Sequence, residues 1–354
     1  MAAQGQGQRA KNVILFLGDA AGIPTLNAAS IYRYGEPRRL FIQGMPHMAL
    51  ADTSAADAWA TDSAAGMTAI VTGQKTNNGV ISQSAAAVRG VRDGEPLDTI
   101  LEIAERQGLS TGVMTNMPVT DATPAACYAH ANERRQAGVI FAQLLKPRYG
   151  DGVDVLIGPG RDTVFTETEK MGLNIAAELN KRGYTIRDSL DSVATTDKRT
   201  IALFNTQDYD IWEGIQRSVA ILSKNPNGYF LMVEWDAHTD RLRRGLDHAI
   251  ELDSAIRKTA GLVSKDTLII FAADHSFDIR LRGGRPGQPL LPPPAEGDGK
   301  NIRVDDGHTG EEVLVTAMGP GAERVKGFIA NTDIFHIMMA AYGWQQEQKA
   351  AAAK

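Results

Sequence analysis

Apolar residues along this chain gather in short runs. Runs at 13–17, 110–115, 153–157, 229–233, 267–272 and 312–317 are five or six residues long, and all but 110–115 are rich in Val, Ile, Leu and Phe. That is the pattern of strands buried on both faces. Between them apolar positions recur every three or four residues, which predicts helices over 24–34, 63–72, 96–107, 211–223, 245–262 and 334–342. The alternation predicts an α/β fold with a large, mostly parallel sheet sandwiched between helices. Residues 281–306 break the pattern: they are loaded with Gly and Pro, including Pro292, Pro293 and Pro294. So long a loop is either functional or disordered.

The expected organisation is one domain over 12–344, with 1–11 as a flexible leader and 345–354 as a tail. The leader is polar and Gly/Gln-rich, with no apolar signal core. At 354 residues, 43% of them hydrophobic and 22% charged, the chain has material for a large core, and its length does not demand a second domain. A net charge of -5 gives no polyanion-binding surface, so nucleic acid is not an expected partner. No stretch has the length of a membrane span. The single cysteine, Cys127, excludes an intramolecular disulfide; its apolar surroundings predict a buried structural thiol.

Polar residues directly follow several predicted strands. Asp19 follows 13–17, Glu234 follows 229–233, and Asp274 and His275 follow 267–272. Ligands of open α/β sheets bind outside the carboxyl ends of the strands. One strand-end Asp is often only a helix cap. Three segments delivering acids and a histidine to one rim point to divalent metal. In Glu234-Trp235-Asp236-Ala237-His238 the polar residues alternate, so an extended segment puts Glu234, Asp236 and His238 on one face. A solvated charged edge is the alternative, but it leaves Trp235 alone packing inward. Ser63, in Thr61-Asp62-Ser63-Ala64-Ala65-Gly66, opens a small-residue helix. A Ser there is commonly an N-cap, yet a helix start also suits an anion. His308, in a Gly-flanked turn, reads by itself as a structural hydrogen-bonder, and so do His47, His130, His248 and His336 in helical or apolar contexts.

Taken together in order, these blocks resemble the alkaline phosphatase family from about Asn12 to Trp344. The blocks are Asn12-Val13-Ile14-Leu15-Phe16-Leu17-Gly18-Asp19, Asp62-Ser63-Ala64 with Thr72-Gly73-Gln74-Lys75-Thr76-Asn77, and Asp121-Ala122-Thr123-Pro124 followed by His130 and Arg134. Val153-Asp154-Val155-Leu156-Ile157-Gly158, the run ending at Glu234, Ala273-Asp274-His275-Ser276 and Gly307-His308-Thr309-Gly310 complete the series.

The resemblance implies phosphate monoester hydrolysis through a phosphoserine on Ser63, at a site of two Zn2+ and one Mg2+. Asp19 then bridges the second zinc and the magnesium, and Asp274, His275 and Ser63 bind the second zinc. Thr123 and Glu234 complete the magnesium site, with Asp121 behind it. Some relatives carry His where this chain has Asp121; an Asp suits magnesium, which prefers oxygen and water. Arg134 holds two phosphate oxygens with its planar fork. Two metals about 4 Å apart can clamp the attacking and leaving oxygens of an in-line displacement.

The chain departs from the family pattern in places. The usual Glu-x4-Asp-x3-His is compressed here to 234–238. Asp236, His238 and His308 are assigned to the first zinc. Asp236 with Asp240, or Glu234 with His238, are the alternatives. Phe277 stands where many relatives have a further His, and Ala20 where Gly is usual. The chain is also short, a compact version without a large crown insertion, with 281–306 standing near the site in its place.

Small phosphorylated substrates are the expected partners, and a homodimer is one candidate assembly. A periplasmic or secreted location is expected from the family alone. A phosphodiesterase of the same superfamily is the main rival, but such relatives commonly use Thr as nucleophile and lack the arginine block. A sulfatase is disfavoured because its Cys/Ser-x-Pro-x-Arg motif is absent around Ser63. A non-catalytic phosphate or metal binder is the reading from outside the enzymes.

Overall fold

Hydrophobic runs too short for helices and too apolar for a solvated face become the centre of a ten-stranded sheet. The computed structural model describes residues 9–344. Its strands are β1 (Asn12–Asp19), β2 (His47–Asp52), β3 (Ser110–Thr115), β4 (Val155–Pro159), β5 (Thr185–Arg187), β6 (Thr200–Phe204), β7 (Tyr229–Asp236), β8 (Thr267–Ala272), β9 (Ser276–Leu281), β10 (Ile302–Thr309), β11 (Val313–Met318) and β12 (Lys326–Ala330). The large sheet has the order β12-β2-β11-β8-β1-β7-β3-β4-β6-β5, and β9 with β10 forms a separate two-stranded sheet. Within the large sheet only β11 runs against its neighbours, β2 and β8. All eight residues of β1 are buried, as a strand covered by helices on both faces requires.

Of the predicted strands, 110–115 and 267–272 are reproduced residue for residue as β3 and β8. The 153–157 run is displaced to Val155–Pro159, and β7 continues three residues past its predicted end, through Trp235 to Asp236. The helix predicted over 96–107 is Ile100–Arg106, because Thr99 and Glu102 form a capping box that fixes its start. The helix predicted from 334 begins at Asn331; the Asp333 carboxylate accepts the Ala330 N–H and secures that end.

Residues 281–306 are not wholly loop. Their first residue ends β9 and their last five belong to β10, which pair antiparallel with Ile302 opposite Leu281 and His308 opposite Phe277. The expected leader 1–11 and tail 345–354 lie mostly outside the described residues. Among the described residues, Ala10 donates to the Ala341 carbonyl and Lys11 to that of Asp266, so this stretch is tied to the helix Asn331–Tyr342 and to the residue that precedes β8. Among the described residues, no helix is long and apolar enough to cross a membrane.

The strand register decides where the polar residues arrive. Leu17 is level with Glu234, Asp19 with Asp236, and Thr115 with Glu234. Asp274 and His275 lie between the end of β8 and the start of β9. Three neighbouring parallel strands therefore end together, and the β9–β10 arm returns His308 to the same rim.

Candidate active site

Ser63 is the first residue of the helix Ser63–Thr72, and its cap is not its own side chain. Asp62 is the N-cap, with its carboxylate accepting the Ala65 N–H. That frees Ser63 Oγ, which lies 3.2 and 3.4 Å from the two oxygens of Asp19 and 3.3 Å from Nε2 of His275. Ser63, Asp19, Asp274 and His275 are each at most 2% exposed. The helix reaches this position because residue 66 is Gly: a Cβ there would stand 2.9 Å from the Asp274 carbonyl oxygen.

Two groups of possible metal-ligating atoms share His275. One is Asp19, Asp274 and His275; the other is His238, His275 and His308. His275 Nε2 is 3.3 Å from Asp19 and 3.6 Å from Asp274, and its ring stacks on His308 at 3.8 Å. His308 Nδ1 meets the Thr61 carbonyl at 2.9 Å, leaving Nε2 3.5 Å from Nε2 of His238. Asp236 contacts the other nitrogen of His238, Nδ1, at 2.6 Å. Asp236 is in neither group. The segment stays extended through Asp236 and turns only at Thr239–Arg241, so His238 enters the cluster while Asp240 faces solvent. Phe277 packs edge-on against His238 at 5.2 Å.

Glu234 is wholly buried on the neighbouring strand, level with Leu17. One of its oxygens accepts from Thr115 Oγ1. Its second oxygen, Thr123 Oγ1 and Asp274 Oδ2 make no hydrogen bond among the described residues. Arg134 bridges Asp62 at 3.1 Å and Asp121 at 3.2 Å.

Burial governs the electrostatics. It pushes the Glu234 carboxyl well above its ordinary range, and the charges of Asp19 and Asp121 push further. Asp274 rises to about 6 through burial and the neighbouring Asp19 charge. Asp19 goes the other way: burial opposes ionisation, but His238 and His275 outweigh it and hold the carboxyl well below its usual value. Burial lowers His238, yet Asp19 and Asp236 carry it to about 10. Burial and the adjacent His275 lower His308.

The predicted residues Asp19, Ser63, Asp274, His275, His238 and His308 thus meet at one point. Glu234 and Thr123 flank it, and Arg134 and Asp121 stand beside the Ser63 helix. The isolated sequence reading missed Thr61, whose carbonyl orients His308, and the second task of Asp62 in holding Arg134. Backbone carbonyls leave no composition signal; Asp62 left one, in its position before Ser63. Cys127 is fully buried, and burial pushes its thiol up.

A family model described as alkaline phosphatase matches residues 10–290. The chain belongs to the alkaline phosphatase family. The tissue-nonspecific alkaline phosphatase of Homo sapiens is 31% identical over 444 residues, covering 94% of this chain and 83% of that protein. An alkaline phosphatase of Escherichia fergusonii is 29% identical over 421 residues, covering 95% and 86%. Both alignments run longer than this chain, so these alkaline phosphatases carry segments that it lacks. Among solved structures, a His-to-Asp variant of TAB5 alkaline phosphatase, with Mg bound in its M3 site, matches with a TM-score of 0.79 at 25% identity. It covers 96% of this chain and 100% of its own. Thermus thermophilus alkaline phosphatase shares the fold, with a TM-score of 0.80 at 22% identity over 98% and 94% of the two chains. The chain is therefore an enzyme of the alkaline phosphatase type.

Proposed function

We propose that this enzyme hydrolyses phosphate monoesters by way of a phosphoserine on Ser63, at a site built for two zinc ions and one magnesium ion. The observation that carries the reading is Ser63 Oγ, uncommitted to capping, at a helix start and within 3.4 Å of Asp19 and His275.

The donor set fits metal. Three carboxylates, Asp19, Glu234 and Asp274, are buried together, and Glu234, Asp274 and Thr123 each present an oxygen that makes no hydrogen bond among the described residues. Buried charge of one sign is costly unless paired or coordinated to a cation. Asp19, Thr123 and Glu234, with Asp121 behind them, offer the all-oxygen set that suits magnesium. The TAB5 variant with bound Mg supports that assignment. Asp19, Asp274, His275 and Ser63 offer the mixed set that suits zinc, and His238 and His308 with Asp236 offer the other. Asp236 reaches that last site through Nδ1 of His238; a proton on Nδ1 leaves Nε2 as the ligand atom facing His308. Bound at these sites, the ions supply Lewis-acid stabilisation of the attacking and leaving oxygens.

The protein's own part is orientation. Ser63 Oγ attacks phosphorus in line and loses its proton; the P–O bond to the leaving group breaks, and the alcohol departs with a proton. Water then attacks the phosphoserine, and its oxygen goes to inorganic phosphate as Ser63 regains its hydroxyl. Arg134, exchanging carboxylate partners for substrate oxygens, and the positive end of the Ser63 helix take up the equatorial charge in both steps. A doubly charged terminal phosphate uses the guanidinium fork fully, which favours monoesters over diesters.

A periplasmic or secreted location is proposed on family grounds, with small phosphorylated molecules as substrates. Turnover of p-nitrophenyl phosphate by Ser63→Ala tests the reading: a loss of orders of magnitude with unchanged folding is expected, and near-parental turnover would overturn it.

A further inference from the structure

The rim segment 234–238 is held by residues that are not themselves in the ligand groups. Where β3 stops at Thr115, Asn116 extends the pairing with its side chain: its Oδ1 accepts the Asp236 N–H at 2.8 Å. The carbonyl of the same residue lies 2.6 Å from Nδ1 of His248. A carbonyl only accepts, so the hydrogen bond assigns the proton to Nδ1. Asn116 Nδ2 also touches that nitrogen, at 3.4 Å. Both amide faces of Asp236 are therefore gripped, one from a strand end and one from the helix Leu242–Leu262.

The same helix holds the segment at two more points. Glu251 accepts the Trp235 indole N–H at 3.0 Å. Gly245 lets the helix come so close that a Cβ there would stand 2.3 Å from the His238 carbonyl oxygen. Positions 245, 248 and 251 are three apart and line one helix face. They meet residues 238, 236 and 235 in turn. The buried His248 is more than a packed helix residue: its ring fixes the peptide from which the Asp236 carboxylate springs, and that carboxylate in turn grips the His238 ring.

We infer that Asn116 and His248 are positioning residues that hold Asp236 and His238 in the arrangement that binds a divalent metal. The inference rests on the proposal that Asp236 and His238 serve the first zinc. Groups behind metal ligands commonly change affinity or activity by about 10- to 100-fold when removed.

The test is zinc affinity by competition with a chromophoric chelator, measured on folded protein beside kcat and KM at saturating zinc. His248→Leu removes the donor, His248→Asn keeps an N–H donor near the place of Nδ1, and Asn116→Ala releases the other amide face. His238→Ala is the reference. His248→Leu and Asn116→Ala should each weaken one zinc per chain by about 10-fold or more. His248→Asn should recover most of that loss, and the magnesium requirement should not move. If His238→Ala loses one zinc while His248→Leu and Asn116→Ala bind as the parent does, the positioning role is wrong and the zinc assignment stands. Equal losses in His248→Leu and His248→Asn would also overturn it, because the donor would not be what matters. If His238→Ala keeps both zincs, the assignment beneath the inference fails with it.

Discussion

Arg134 rests between two carboxylates, Asp62 and Asp121, rather than reaching into solvent. On the proposed function, this arrangement holds the guanidinium beside the Ser63 helix, where a substrate phosphate would displace its partners. Hydrogen bonds to charged groups contribute about 1.5–3 kcal/mol. Arg134→Ala should therefore lower kcat/KM for p-nitrophenyl phosphate roughly 10- to 100-fold, and lower that for bis-p-nitrophenyl phosphate less. The ratio of the two rates checks this; an unchanged ratio would separate Arg134 from the monoester preference. At the compressed segment, His238→Ala should lose bound zinc and Asp240→Ala should not, since Asp240 faces solvent. Elemental analysis of the purified variants decides it. Residues of this kind were legible where chemistry follows a strand: Asp19, Glu234, Asp274 and His275 announce themselves by position. Asn116 and His248 were not, because a side chain that grips a backbone peptide looks like any other polar residue in the sequence.

At the scale of elements, the Ser63 helix must seat closely on the turn that carries Asp274. Gly66 allows it. In Gly66→Ala the new methyl would stand 2.9 Å from the Asp274 carbonyl oxygen and 3.1 Å from its Cβ, so helix and turn must part. Overpacking of this sort costs about 1–3 kcal/mol; the expected result is a lower melting temperature together with lower kcat.

At the opposite end of the sheet, Glu105 is buried against β3 and accepts from Thr111 Oγ1 and the Gly152 N–H. Burial, with the charges of Asp154 and Asp151 nearby, lifts its pKa to about 8 from the ordinary 4.5. The folded state then holds this proton more tightly than the unfolded state. Its contribution is present in full below about pH 4.5 and is lost as pH rises to about 8. Glu105→Gln should flatten the fall in unfolding free energy across that window in urea titrations; an unchanged slope would contradict it. Elements were legible where an apolar run is unbroken, as in β8. The β9–β10 arm was hidden because Gly and Pro between its strands mask the pairing.

Across the whole molecule, a parallel sheet gathers three strand ends at one rim, and the β9–β10 arm folds back over it with His308. The fold class was readable from alternating runs, since burial on both faces leaves a strand little choice of composition. Which residues converge was readable only in part, because convergence depends on register: Asp236 proves level with Asp19, and no single segment reports that. The central claim is that Ser63 carries the phosphoryl group between substrate and water. Its most direct test is a rapid acid quench of the metal-loaded enzyme turning over a phosphate monoester, followed by peptide mass analysis. The account predicts one phosphate on the peptide containing Ser63, absent in Ser63→Ala. Full turnover with no labelled Ser63 at any quench time, or a label on another residue, would contradict it.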